Sequence, residues 1–463
     1  MSLIKHSTII LKYTAFAVLF SIALSGCSIL PKKKSTVDPR TTNLVVWSFE
    51  NEDVWKPIIK DFEKQNKGYT MVYEKQTFDD SYENRVLNSI LATRKPDVWA
   101  MPNDWVYRHK DKFYPMPDTM VATTKLSDTY VQSIAQSVLF DNKIYALAPT
   151  TDPLIVYYNP NLFNKALDNF TLTTKDKTAL SRANSLLSEP PKIWSDIIAA
   201  SNLITQKSGN NITLSGIALG TTKIYNSQDI IYAMMLQNET KVTSEDYKLA
   251  TFNLPTNTST GTNDTPGKRA LEFYTSFADP SSPNYSWNDS LGDELQAFAD
   301  GKVAMIVGYS SLQTQILQRF PGLSFTYKKT YLPQVNADNS KIVDFARFTA
   351  LGVNSISLMP TQAWNLINIA HSSYSESFAS NSRLFSSKKA SSYDISFTNR
   401  TAGNPEKLTL ATAKSLIKGR YPVEFDSITK SMIDSLNAKT SDSQTIIDTA
   451  ANRATELLRK ESW

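Results

Sequence analysis

Between Asn43 and Met101 the chain alternates short apolar runs with helical periodicities, and this alternation limits its fold more than any other feature. Asn43-Leu44-Val45-Val46-Trp47 is a compact apolar, β-branched run of the kind that forms a buried strand. In Asp53–Asn66, Val54, Ile58, Ile59 and Phe62 recur at helical spacing with charged residues between them. Tyr69–Glu74 reads as a second strand. Tyr82–Thr93 reads as a helix with Val86, Leu87, Ile90 and Leu91 on one face, and Pro96–Met101 as a third strand. Strand, helix, strand, helix, strand at this pace predicts βαβ units, and therefore a parallel sheet with right-handed crossovers.

The rhythm continues less regularly. Strands are expected at Ile144–Leu147, Leu154–Tyr158, Gly216–Leu219, Val303–Val307, Leu323–Tyr327 and Ala350–Val353. Helices are expected at Trp194–Gln206, Asp229–Gln237, Gly267–Phe277, Asp293–Ala299 and Thr361–His371, then at Leu410–Ile417, Ile428–Leu436 and Ser443–Arg459. Asn253–Pro266, rich in Thr and Asn, reads as an exposed loop. Ser372–Ser392 is Ser-rich, with Phe378, Leu384 and Phe385 packing part of it. No fixed-period repeat is visible.

The N-terminus carries a different signal. Lys5 and Lys12 precede an apolar run, Tyr13–Leu24, that ends in Leu24-Ser25-Gly26-Cys27, and Cys27 is the only cysteine in 463 residues. The run is too short to span a bilayer, which takes about 20 residues. A basic start, an apolar stretch and small residues before the break are the parts of a secretory leader, and a cysteine directly after them resembles a bacterial lipobox. That resemblance implies cleavage before Cys27, acylation of its thiol, and a protein tethered to the cell membrane on its extracellular or periplasmic side. An uncleaved membrane anchor is the competing reading. With Cys27 acylated no disulfide forms, so stability rests on the core. His109 and His371 are the histidines left after cleavage, which argues against a zinc site; no cofactor is expected. Cleavage removes Lys5 and Lys12 from a formal charge of +5, and the remaining basic residues are interspersed with acids apart from Lys32-Lys33-Lys34. Such a balance gives no clustered basic face for nucleic acid.

Four stretches, in order, carry a wider resemblance. They are Leu44–Trp47; Pro96-Asp97-Val98 followed by Asp104; Tyr145–Phe163 with Pro149, Asp152 and Tyr157-Tyr158-Asn159; and Phe298-Ala299-Asp300-Gly301-Lys302-Val303-Ala304-Met305 followed by Gly308. Together they resemble the bacterial extracellular solute-binding proteins of ABC importers, in the sugar-binding group that includes maltodextrin binders. The resemblance implies an α/β, two-lobed periplasmic-binding-protein-like fold of type II, with the ligand cleft between the lobes. It divides the chain into a leader (residues 1–26), a lipid-anchored tether (27–42), an N-terminal lobe (43–149 and 303–346) and a C-terminal lobe (150–302 and 347–463). Chain crossings are expected near Pro149–Asp152, Asp300–Val303 and Phe345–Ala350. The implied partners are a small-molecule solute, a carbohydrate first, and the membrane permease of an importer. The protein is expected to act as a monomer.

In open α/β sheets ligands sit beyond the carboxyl ends of the strands, which selects Phe49 and Glu50 after the first strand and Met101, Asp104 and Trp105 after the third. Carboxylates accept strong hydrogen bonds from sugar hydroxyls, and aromatic rings offer flat apolar surface to the C–H face. The family places a hydroxyl-binding aspartate at Asp104, whose structural alternative is a helix N-cap. It places a cleft acid near Asp152, whose alternative is the turn before Pro153. Tyr309, in Gly308-Tyr309-Ser310, stands near the family's stacking aromatic, with Trp287 and Tyr225 as further rings and ordinary core as their alternative. Arg347 is expected at a crossing, facing a solute carboxylate or phosphate or else an inter-lobe acid. Trp47 and Trp99 are expected within the sheet. Met101 stands where maltodextrin binders carry a tryptophan, and this puts a long glucan in doubt.

Three other classes compete. Asp97 and Asp104 could serve as a glycosidase's two acids, but Asp97 opens a buried strand. Glu50, Asp104 and Asp152 around aromatic rings would suit a cationic solute such as a polyamine. A surface adhesin or scaffold on the same fold is the third.

Overall fold

The computed structural model describes residues 42–460 except 93–95, 121–124, 258–262, 324, 339–340 and 390–404. The leader, Cys27 and the tether up to residue 41 lie outside the described residues, as does part of the Ser-rich stretch. Among the described residues no helix is long and apolar enough to cross a membrane.

The first sheet follows the expected pattern. Thr42–Ser48 runs parallel to Val98–Pro102, with Val46 opposite Val98 and Trp47 opposite Trp99. The four strands lie in the order Thr349–Val353, Val98–Pro102, Thr42–Ser48, Tyr69–Lys75. The connecting helix Glu52–Gln65 buries Val54, Trp55, Ile58 and Phe62, an apolar stripe at the 3.6-residue period. Val98, Trp99, Ala100 and Met101 are all fully buried, which marks a central strand covered on both faces. Thr349–Val353 joins antiparallel, pairing Thr349 with Pro102 and Val353 with Val98, so the sheet is mixed rather than purely parallel.

The second sheet is organised by Thr150–Tyr158, a strand buried along its whole length. Its first half pairs with Phe385–Ser386 and with Ala346–Arg347, its second half with Met305–Tyr309 and with Lys328–Thr330. A strand shared in this way carries the chain from one core to the other. Its N-terminal side adjoins Ala146, Leu147 and Ala148 of a first hydrophobic core, and Leu154–Tyr158 belong to a second.

Those two cores correct the expected chain division. Val303–Tyr309 and Leu332 are buried in the second core with the segments on either side of Asp300–Val303, so no crossing occurs there. Thr349–Val353 and helix Pro360–Ser372 are buried in the first core, through Leu351, Val353, Trp364 and Ile367. Core membership changes between Ala148 and Leu154, and again between Phe345 and Ala346. The third passage lies instead at 413–425, where Ala413 and Ile417 pack in the first core and Leu416 and Phe425 in the second. Pairing explains the exchange: Val303–Tyr309 lies antiparallel beside Leu154–Tyr158 and pairs Met305 with Ile217, so it has second-core strands on both sides.

Smaller corrections are local. The expected helix Leu410–Ile417 is a helix over Pro405–Thr412, followed by strand Ala413–Lys414 pairing with Asp344–Phe345. The strand expected at Leu323–Tyr327 forms at Lys328–Thr330, in register with Val156–Tyr158. Two helices, Pro160–Thr173 and Lys177–Leu187, were not expected. Their signals were present, because Asn159 and Asp176 are N-caps whose side chains accept from Asn161 N at 3.0 Å and Thr178 N at 2.8 Å. Within the second core, Ser227–Gln237 is buried almost all round through Ile230, Ile231, Tyr232, Ala233, Met234 and Met235. A helix so enclosed has little freedom to shift, and its first turn is therefore held firmly.

Asp97 is structural. Its carboxylate accepts from Val45 N at 3.0 Å and from Ser357 Oγ at 2.5 Å, tying the two strands and the chain after Thr349–Val353 together. Both oxygens are engaged in holding these segments together.

Candidate functional site

A cavity of about 530 Å³ lies where the chain passes between the two cores. Loops at strand ends and the first turn of the enclosed helix line it, as the carboxyl-end rule requires. From the first core come Phe49, Phe78, Asn103 and Asp104; from the crossing strands Asp152, Ala346, Arg347 and Thr349; from the second core Tyr225, Asn226, Gln228, Asp229, Tyr232 and Tyr309; and from the third passage Leu416, Lys418 and Asp426.

Two polar networks organise this lining. The first centres on Asp152. Its Oδ1 accepts from Ser310 Oγ at 2.9 Å and Ser311 N at 3.0 Å, and its Oδ2 from Ser311 Oγ at 2.6 Å and Arg347 Nε at 3.3 Å. The Arg347 guanidinium lies over the Tyr309 ring, 3.8 Å from its centroid. The Tyr309 hydroxyl in turn donates to Asp229 Oδ2 at 2.8 Å. Burial works against the charge on Arg347, but Asp152, Tyr309, Tyr225 and Asp229 together outweigh it and hold the guanidinium protonated.

The second network centres on Lys418, which is 6% exposed. Its ammonium donates to Asp426 Oδ2 at 2.7 Å and pairs with Asp104 Oδ2 at 3.0 Å. Asp426 Oδ1 also accepts from the Tyr232 hydroxyl at 2.9 Å. Asp104 follows a strand of the first sheet, whereas Asp426 belongs to helix Pro422–Asn437, whose Phe425, Ile428, Met432 and Ile433 pack in the second core. Lys418 therefore ties the two cores. Desolvation opposes its charge, and the attraction of Asp104, Asp426 and Asp229 overcomes that, raising its pKa above the ordinary lysine value. The acids feel the opposite pressure. Desolvation pushes Asp426 up to about 6 against the pull of Lys418, and Asp229 is likewise raised by burial.

Of the residues expected at the site, Phe49, Asp104, Asp152, Tyr225, Tyr309 and Arg347 line the cavity together. Asp104 stands before the helical turn Trp105–Arg108 but makes no side-chain cap bond, so its carboxylate is directed to Lys418 instead. Tyr309 is 1% exposed, and Arg347 covers its face, which leaves its hydroxyl rather than its ring for polar contacts. The freer rings are Phe78 and Tyr225, 52% and 48% exposed.

Four expected residues stand elsewhere. Glu50 turns back to accept from Ser48 Oγ at 2.5 Å, and burial raises its pKa. Met101 is fully buried in the central strand of the first sheet. Trp105 is stacked on Tyr82, at 6.3 Å between ring centroids, within the first core. Trp287 is buried in the second core. Large apolar side chains are driven into a core wherever one is in reach, and each of these has one beside it. The unforeseen members are Phe78, Asp229, Tyr232, Lys418 and Asp426. Asp229 carried a signal, an acid in the first turn after Tyr225; Lys418 carried none, its partner Asp104 being far away in the chain.

The family described as bacterial extracellular solute-binding protein matches residues 57–380. Over 306 residues the chain is 22% identical to relatives in Brucella abortus and Brucella suis that carry a binding-protein designation, and the match spans 65% of this chain and 66% of theirs, just under two thirds of their length. Among solved structures, a cyclic α-maltosyl-1,6-maltose binding protein from Arthrobacter globiformis superposes with a TM-score of 0.69 at 14% identity, over 90% of this chain and 99% of that one. The sugar-binding protein MalE from Xanthomonas citri does so with a TM-score of 0.67 at 16% identity, over 90% and 97%. At such identities these likenesses establish the two-lobed fold.

Proposed function

The chain belongs to the bacterial extracellular solute-binding proteins, and on that premise we propose that it captures a small polar solute, a mono- or oligosaccharide, by closing its lobes and passes it to the permease of an ABC importer. The observation that carries this reading is the cavity between the cores, lined from both sides by carboxylates, Arg347, Lys418 and half-exposed aromatic rings. Its volume of about 530 Å³ suits a small molecule rather than a chain. Carboxylates and amides suit hydroxyl groups, and the faces of Phe78 and Tyr225 suit the C–H side of a sugar ring. The solved relatives whose names mention maltose or cyclic maltosyl-maltose support the same class.

Closure follows from the three passages between the cores. Segments near 149–152, 347–349 and 413–421 would absorb the change in backbone angles, and contacts bridging both lobes would favour the closed form, because only differential affinity shifts such an equilibrium. The lobes in this reading are 43–148 with 348–413, and 154–345 with 422–460. The protein acts as a monomeric carrier without catalysis, anchored through acylated Cys27 on the outer side of the cell membrane.

The test is thermal unfolding in the presence of D-glucose, maltose, maltotriose, cellobiose, spermidine and adenosine. A solute at a hundredfold excess over its Kd adds about 2.7 kcal/mol of stability, a rise in Tm of several degrees. At least one sugar is expected to produce it. A rise with spermidine or adenosine alone, or hydrolysis of any sugar in the panel, overturns the reading.

A further inference from the structure

The charge balance of the lining goes further than the class of solute. It holds four aspartates, Asp104, Asp152, Asp229 and Asp426, against the two cations Arg347 and Lys418. Asp152 is fully engaged by Ser310, Ser311 and Arg347, and Asp104 and Asp426 share Lys418. Asp229 differs. Its hydrogen bond comes from the Tyr309 hydroxyl to Oδ2 at 2.8 Å, and among the described residues it forms no ion pair. Its second oxygen is left to the cavity.

Two neighbours share its condition. Asn226 Nδ2 and Gln228 Oε1 are buried and have no hydrogen-bond partner, and both residues line the cavity. Asn226 sits at the start of helix Ser227–Gln237 in a left-handed conformation, φ 57° and ψ 30°, and makes no capping bond. An asparagine before a helix ordinarily uses its side chain to cap the first turn. Here the backbone turns it away from that role. A buried donor and a buried acceptor without partners destabilise the fold, a cost that a bound ligand supplying the complementary groups removes.

We propose that the solute carries a basic nitrogen, as an amino sugar does, and that Asp229 receives this nitrogen while Asn226 and Gln228 bond the adjoining hydroxyls. The inference rests on the sugar-binding reading and refines it. A neutral sugar would close the cavity over a carboxylate offset only by the more distant charges of Lys418 and Arg347; an ammonium supplies a cation in direct contact with it. The half-exposed Tyr225 ring, beside the same helix start, lines the same cavity and is an aromatic surface of the kind that attracts a cation. Burial raises the pKa of Asp229 against the pull of Lys418 and Arg347, and an ammonium in contact would favour its charged form.

The experiment is calorimetric titration at neutral pH of the wild-type protein and of Asp229→Asn. The probes are D-glucosamine and chitosan disaccharide, with D-glucose, cellobiose, N-acetyl-D-glucosamine and N,N′-diacetylchitobiose as neutral counterparts, and spermidine as a cation without a sugar. The amines are expected to bind at least tenfold more tightly than their neutral counterparts, and that ratio is expected to fall to near one in Asp229→Asn, whose circular dichroism and melting verify its fold. Neutral sugars binding as tightly as the amines, or a ratio unchanged in the variant, would overturn the amine while leaving the sugar reading in place. Spermidine binding where no sugar binds, or no binding by any probe at millimolar concentration, overturns both.

Discussion

Lys418→Met is expected to lower the unfolding free energy by about 3–5 kcal/mol, the range seen when one partner of a buried ion pair is removed. The cause is what the substitution leaves behind. Asp104 and Asp426 both point at the ammonium, at 3.0 Å and 2.7 Å, and neither has a second cation within ion-pair distance among the described residues. The loss should depend on pH in a fixed direction. Asp426 already titrates near 6, above its unfolded value, because desolvation outweighs Lys418; without the lysine it moves higher. A carboxyl whose folded pKa is raised binds its proton more tightly in the folded state, so the penalty is smallest at acid pH and grows as pH rises through the folded pKa. Urea unfolding at pH 5 and pH 8 reads this directly, with the larger deficit expected at pH 8. Adding Asp426→Asn to Lys418→Met should recover part of the loss. A deficit under 1 kcal/mol at pH 8 would mean that the ammonium does not hold the third passage in place.

Asp152→Ala is expected to cost about 2–3 kcal/mol of stability and at least tenfold in solute affinity. The carboxylate orders Ser310 Oγ, Ser311 N and Ser311 Oγ at the end of Val303–Tyr309, and receives Arg347 from the neighbouring crossing strand. Most of the stability cost comes from the donors of the buried Ser310 and the Ser311 backbone. The Arg347 side chain is 38% exposed, so water takes over part of its solvation and its pairing contributes less. The affinity cost has a different origin: Arg347 covers Tyr309, and Tyr309 positions Asp229. Asp152→Asn keeps one acceptor and should lose less on both measures. Denaturant unfolding and titration with whichever panel sugar raises the Tm check the two parts; unaltered affinity in Asp152→Ala would separate the crossing strand from the site.

The distribution of readable and unreadable features follows from what is local. The first sheet was legible because Leu44–Trp47, Val54–Phe62 and Val98–Met101 each display their period within one short window. Phe49, Asp104, Asp152 and Arg347 were legible as a group because they follow strand ends or lie at crossings, and strand ends converge on one side of such sheets. The assignment of Val303–Tyr309 to a core was not legible. A wholly apolar strand carries no mark of which neighbour it pairs with, and its partner Leu154–Tyr158 is equally uniform. Lys418 and Asp426 were invisible for the same reason in electrostatic form. Their meaning depends on Asp104, and nothing near Gly419 announces a buried ammonium. Met101, Trp105 and Trp287 stand in the cores rather than in the cavity lining, because a large apolar side chain serves a core and a sugar face equally well in sequence, and burial in a core is the stronger force.

Hydrogen–deuterium exchange, with and without the panel sugar that raises the Tm most, tests the central claim most directly, because it reports on both lobes at once. Solute held between the cores should slow exchange in 101–104, 225–232, 309–311, 345–349 and 416–426, segments that line the cavity from both sides. Protection confined to one lobe, or appearing on a surface away from these segments, would contradict a cleft that shuts on its ligand.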